Sequence, residues 1–191
     1  MNARTKKLCG CSSRRKYLAT VNTLLSVFLL GAIAVGQAAP SMPSREEVLE
    51  LVNKANEKTV AYEEAVNNAK PHLAKINPKF VVNYLEAAST AHTLIQAIQK
   101  DGPSAYGLVS LLATLDDMSL NASTGSVQLL RTDEEHVAKG AAPDVSVLAS
   151  VIVLGNASTA CTDISELILH ATLRYVNVEE RTLGKLLDSQ K

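Results

Sequence analysis

Apolar side chains recur at intervals of three and four residues through most of the sequence beyond residue 43. This spacing puts them on one face of an α-helix, where they can pack against other helices. Gly-Pro and Asn-Pro pairs separate the periodic segments, and no segment has the pattern of two strands joined by a tight turn. We therefore predict an all-α fold, an antiparallel bundle of four to five amphipathic helices. The apolar positions that support the first, second and last helices include Val48, Leu51, Val52, Ala55, Tyr62, Val81, Leu85, Ala88, Ile95, Ile164, Leu167 and Ile168.

Capping residues and prolines predict where the first helices begin and end. Ser44 stands three residues before Glu47, which is the capping-box spacing of a helix start. Pro71 is expected to end or kink this first helix, because it has no N–H and its ring clashes with the preceding turn. The Asn-Pro pair at 77–78 supplies an N-cap and a first-turn proline for the second helix. The Gly-Pro pair at 102–103 is expected to stop the second helix.

The second half of the chain is harder to divide into helices. A third helix is predicted to end near Asn121, and residues 122–143 have the least regular pattern. Asp144 is expected to cap residues 145–154, which are apolar on nearly every side. Such a run fits a strand or a buried helix, and we favour the buried helix because helices surround it. The last helix is predicted over residues 162–187.

The N-terminus has the order of a secretory signal. Six basic residues precede the almost uncharged residues 18–35, small residues and Pro40 follow, and no acidic residue occurs before Glu46. We predict a signal peptide over residues 1–38, with cleavage after Gly36 or Ala38 and a single helical domain over 39–191.

The alternative is an uncleaved signal anchor, because the apolar run is close to the length of a membrane-spanning helix. In a type II membrane protein the basic N-terminus would stay cytoplasmic. Cys9 and Cys11 would then be candidates for palmitoylation beside the bilayer. If the segment is cleaved, these two cysteines leave with it.

The neutral charge of the whole chain hides an acidic domain. The sequence has 19 basic and 19 acidic residues, but six of the basic residues precede residue 17. The remainder keeps 13 basic residues against 19 acidic ones, a net charge near −6. This balance argues against nucleic acid and anionic membrane surfaces as partners.

The predicted mature chain has one cysteine, Cys161, and therefore no intramolecular disulfide. We favour Cys161 as a small buried apolar residue, with an intermolecular disulfide as the alternative. The tetrapeptide Asn-Ala-Ser-Thr occurs twice and contains a glycosylation sequon each time. Asn121 and Asn156 are therefore predicted glycan acceptors, and we expect both in surface loops.

The sequence offers little catalytic or metal-binding chemistry. It has no His-Glu-x-x-His motif, no nucleophile elbow and no phosphate-binding loop. Asp133 and His136 share a helix face, but a di-iron bundle needs two such units and two further glutamates. Glu166 and His170 are one turn apart among leucine and isoleucine, which favours a contact at the edge of a core. We predict a non-enzymatic protein without cofactor or metal.

Three functions remain compatible with these features. The first is a secreted helical protein that acts by binding another macromolecule, with an unknown extracellular protein or lipid as its partner. The second is a carrier of lipid or another small hydrophobic ligand, since a bundle without disulfides can hold a ligand between its helices. The third is a membrane-anchored surface protein that retains residues 18–35.

Overall fold

Four long helices make up nearly all of the chain that can be described. The computed structural model describes residues 41–188, which contain helices α1 (Arg45–Ile76), α2 (Pro78–Asp101), α3 (Ala105–Ala138) and α4 (Val145–Asp188), and no strand. The all-α class is thereby confirmed for these residues. The predicted signal peptide or anchor over residues 1–38 lies outside them.

The predicted caps begin the helices as expected. Ser44 accepts a hydrogen bond from the backbone N–H of Glu47 at 3.1 Å, and Asn77 accepts one from the N–H of Lys79 at 3.0 Å. Each bond satisfies a backbone donor that has no partner within its own helix. Gly102 ends α2 with a φ of 92°, which a residue with a side chain rarely adopts.

Pro71 lies inside α1, five residues before the helix ends at Ile76. Pro71 therefore does not end the helix, and the alternative that it kinks the helix stays a prediction. Val66, Ala69 and Leu73 lie around it on the core side and are fully buried. Packing on both sides of the proline offsets its cost of about 3 kcal/mol in a helix interior.

Two predicted boundaries in the second half are also wrong. Helix α3 continues to Ala138, so residues 122–138 are helical rather than irregular. Helix α4 is one continuous helix, and no separate helix begins near residue 162. The predicted break between residues 140 and 143 is confirmed by the connection from α3 to α4.

Helices α1 and α2 run in opposite directions. Asn53 on α1 accepts a hydrogen bond from Gln99 on α2. Ten residues later on α1, Glu63 Oε2 lies 3.4 Å from Nε2 of His92, which precedes Gln99 on α2. Helix α1 also packs against α4, where Glu47 forms an ion pair with Arg174, and α3 packs against both α2 and α4.

The apolar stripes of the four helices meet in one core. Its largest members are fully buried, and burying a side chain of this size stabilises the fold by about 1.5–3 kcal/mol. They include Tyr62 and Leu73 from α1, Ile95 from α2, Leu108, Leu111, Leu115, Met118 and Leu129 from α3, and Leu154 and Ile168 from α4.

Candidate functional site

Two stretches without any charged residue lie side by side on α3 and α4. They are residues 118–130 and residues 145–162. Ser126 donates a hydrogen bond to the carbonyl oxygen of Val151 at 3.1 Å, which joins the two stretches near their middle. Because both stretches are uncharged, the surface that they form together has no charged side chain of its own.

Small residues hold α3 and α4 together along this seam. Ser119 Oγ lies 3.0 Å from Ser158 Oγ and 2.8 Å from Thr162 Oγ1, and Ser158 Oγ donates to the carbonyl of Ser119 at 2.9 Å. Ala122 and Ala157 are buried. These residues include members of both Asn-Ala-Ser-Thr repeats, so the repeats have a packing role at the contact between the two helices.

The two predicted glycan acceptors lie in helices rather than in loops, which corrects that expectation. Asn121 is half-buried on α3, and its side chain lies close to the buried hydroxyl of Tyr62. Asn156 is exposed on α4. Helical placement leaves the use of either sequon as a prediction, but the two asparagines differ in access to solvent.

An apolar surface covers the outside of the α3–α4 pair. On α3 its exposed residues are spaced by seven and then three positions, and on α4 by seven, which places each set on one side of its helix. Val127 and Ile152 directly follow the bonded pair Ser126 and Val151, so both sets face outward beside the seam. We call this surface the outer α3–α4 face, and its members are Leu120, Val127, Leu130, Val145 and Ile152.

The start of α4 is therefore less buried than the sequence predicts. Residues 145–154 form a helix, as favoured, but Val145 is 77% exposed and Ile152 is 62% exposed. Residues 145–178 are long and apolar enough to cross a membrane, a test that core helices of soluble proteins also pass, yet only 22% of an apolar 18-residue window within them is buried. A core helix would be mostly buried, so α4 leaves much of its apolar surface uncovered.

Acidic residues border the outer α3–α4 face along the helices. Asp116 lies one turn before Leu120 on the same side of α3, and Glu134 lies one turn after Leu130. On α4, Asp163 lies three turns after Ile152 on the same side, and the exposed Glu166 follows. An apolar centre with charged borders is the usual anatomy of a protein-binding surface.

Cys161 points into the core and is fully buried. Burial raises the pKa of its thiol to about 12. A thiol with so high a pKa has almost no thiolate at neutral pH, and the thiolate is the reactive form. An intermolecular disulfide through Cys161 would require this part of the core to open.

A cleft of about 330 Å³ lies where the end of α1 meets α3 and the start of α4. Its walls include His72, Asp133, His136 and Asp144. The buried Asp133 carboxylate accepts a hydrogen bond from the N–H of Asp144 at 3.0 Å, so it secures the start of α4. Hydrogen bonds from Ser146 lower the pKa of Asp144, and His72 lowers it further.

The other pair that the sequence analysis considered is Glu166 and His170, and neither belongs to a metal-binding group among the described residues. His170 lines a groove of about 310 Å³ between α1 and α4, together with Glu47 and Arg174. Among the described residues, no three His, Cys, Asp or Glu side chains are placed to hold a metal ion.

The sequence reasoning missed the outer α3–α4 face. The two uncharged stretches are visible in the sequence, but their adjacency depends on α3 and α4 both continuing through the predicted breaks. No family model matches this chain, and comparisons with curated proteins and with solved structures also found no match.

Proposed function

We propose that this is a secreted, non-enzymatic protein that acts by binding another macromolecule through the outer α3–α4 face. In this proposal the four helices form an antiparallel bundle that follows a cleaved signal peptide. The observation that carries the proposal is the uncharged, exposed apolar surface on α3 and α4, with Ile152 and Val127 near its centre. Exposing adjoining apolar side chains to water is unfavourable for a protein that binds no partner.

Site-specific photo-crosslinking tests this function. A photoreactive amino acid is placed at position 127 or 152 of the full chain, expressed in cells that secrete it, and the matched control position is the exposed Val82 on α2. We expect adducts of one defined mass from positions 127 and 152 and none from 82. Equal adducts at all three positions, or none at 127 and 152, would reject the proposal.

The second candidate is a carrier of lipid or another small hydrophobic ligand. The specific observation in its favour is the apolar length of α4 combined with its low burial. Native mass spectrometry of the secreted protein tests it, since a carrier is expected to retain a lipid-sized mass. A bare polypeptide that also fails to bind neutral vesicles would reject the carrier. The third candidate, a type II anchored protein, depends on residues 18–35 and is tested by the N-terminal sequence of the protein from its native source.

A further inference from the structure

We infer that the outer α3–α4 face accepts an amphipathic helix of a partner protein, with lysine or arginine at the end that lies over Asp116, Asp163 and Glu166. The inference rests on the proposed function and names the partner's chemistry. Amphipathic helices bind such surfaces by laying an apolar stripe between two helices of the receptor.

The dimensions of the face suit one helix. At 1.5 Å per residue, the uncharged stretch of α3 is about 20 Å long and that of α4 about 27 Å long. A partner helix of about 13–18 residues therefore covers the apolar side chains without placing its own charges among them. Leu120 and Val127 lie two turns apart on α3 and Leu130 follows one turn later, so the three offer contacts spread along the length of such a helix.

The borders of the face set the charge of the partner. Asp116, Asp163 and Glu166 lie at one end, and residues 105–115 of α3 and 167–173 of α4 add no Lys or Arg beside them. At the other end the exposed residues between 131 and 144 include two basic and three acidic ones, so the charge there is closer to balance. A partner helix with one basic end is therefore attracted in one orientation, and the acidic domain as a whole strengthens that attraction.

The acidic residues at the borders disfavour a second copy of this chain, and also anionic lipid, as the occupant of the face. A second copy placed face to face would bring Asp116 and Asp163 against their own counterparts or against Glu134. Like charges opposed in this way are unfavourable at an interface. Anionic lipid is repelled for the same reason.

A displayed peptide library tests the inference directly. Helices of about 18 residues carry a fixed apolar stripe, and the residues at each end are randomised among Lys, Glu and Gln. The full-chain protein is the bait, and clones that also bind the Val127→Glu/Ile152→Glu variant are removed. We expect the remaining clones to be enriched in Lys at one end.

Variants of the acidic border then separate local from overall charge. The triple variant Asp116→Asn/Asp163→Asn/Glu166→Gln is expected to weaken the enriched peptides about tenfold, because border charges act mainly on the association rate. The matched control changes three exposed acids elsewhere, Glu57→Gln/Glu64→Gln/Glu86→Gln, and has the same net charge. It is expected to weaken binding less than about twofold. Circular dichroism melting establishes that each variant is folded.

The outcomes distinguish this inference from the proposed function. Enrichment of Glu, no charge preference, or equal effects of the two triple variants would overturn the basic partner helix, while photo-adducts at positions 127 and 152 would still support macromolecule binding. Loss of those adducts as well would reject both. A concentration-dependent dimer that Ile152→Glu dissolves, or flotation with phosphatidylcholine vesicles, would replace the partner helix by a second copy or by lipid.

Discussion

Ser126 on α3 donates a hydrogen bond to the carbonyl oxygen of Val151 on α4, 3.1 Å away, at the middle of two uncharged helix segments. A carbonyl inside a helix already accepts a bond from its own helix, so this contact uses its second lone pair. Such a bond requires the two backbones to approach closely, and the small residues along the seam permit that approach. The seam therefore sets the distance between α3 and α4, and with it the spacing of the exposed residues of the outer α3–α4 face.

The small size of Ala122 is needed for this approach. Ala122 is fully buried on α3, so Ala122→Leu is expected to force the seam apart and lower the free energy of unfolding by about 1–3 kcal/mol. The matched control is Ala149→Leu, because Ala149 is exposed on α4. Urea denaturation followed by circular dichroism measures both. An unchanged stability for Ala122→Leu would mean that the two helices are not held at close contact.

The helix starts could be predicted from the sequence because they depend on local interactions. Ser44 and Asn77 bond to backbone N–H groups within three residues, so their sequence neighbours contain the whole signal. The helix ends were less predictable. Gly125 lies inside α3, and a Cβ built there would meet Tyr84 Cε2 at 3.1 Å and Leu73 Cδ2 at 3.2 Å. It permits close packing with distant residues, and that role cannot be read from the residues beside it.

The candidate site was harder to predict than the fold class. An apolar run such as residues 145–154 looks the same whether its side chains are buried or exposed, because burial is decided by which helices are adjacent. The sequence does show that the two stretches of this face contain no charged residue. The position of the face followed only once α3 and α4 were known to be continuous and paired.

The two sequons are expected to differ in use. The Asn121 side chain is half-buried beside the Tyr62 hydroxyl, so a glycan there would pull it away from the helix contacts, whereas Asn156 is exposed. We expect one glycan, at Asn156, measured as the mass lost on enzymatic deglycosylation of the secreted protein. Asn156→Gln should abolish this loss and Asn121→Gln should leave it unchanged. The reverse result would contradict the placement of Asn121.

A glycan at Asn156 would also lie beside the outer face, because Asn156 follows Ile152 by one helical turn. The selected peptides are therefore expected to bind deglycosylated protein at least as tightly as the glycosylated form. Weaker binding after deglycosylation would indicate that the glycan takes part in recognition.

The Tyr84 hydroxyl is buried, and no described residue gives it a hydrogen-bond partner. Burial raises the pKa of this hydroxyl, as expected for a polar group removed from water. Tyr84→Phe removes the unpaired hydroxyl and is expected to raise the free energy of unfolding by up to about 1 kcal/mol. Tyr106→Phe is the control, since Tyr106 is 82% exposed and should show no change. A loss of more than about 1 kcal/mol in Tyr84→Phe would show that the hydroxyl is bonded in solution.

The buried thiol of Cys161 makes stability fall at alkaline pH. Its pKa is raised from 9.0 to about 12 in the folded protein, so the folded state keeps the proton while the unfolded chain releases it. The unfolded state is therefore favoured as the pH rises above 9.0, by about 1.4 kcal/mol per pH unit until the folded thiol also ionises. Below pH 9.0 both states hold the proton, and the thiol contributes no pH dependence.

Cys161→Ala removes this contribution to the pH dependence. The free energy of unfolding is measured by denaturant titration at several pH values from 8 to 10. Over about the first pH unit above 9.0, its fall with pH should be smaller in Cys161→Ala than in the natural protein. The variant also loses packing, which shifts its free energy of unfolding at every pH. The two proteins are therefore compared by the change of this free energy per pH unit and not by its absolute value. Tyr62 also has a pKa raised by burial, but an unfolded tyrosine ionises only near 10.0, so the window close to 9.0 isolates the thiol. Equal slopes for the two proteins would place the Cys161 thiol in contact with solvent rather than in the core.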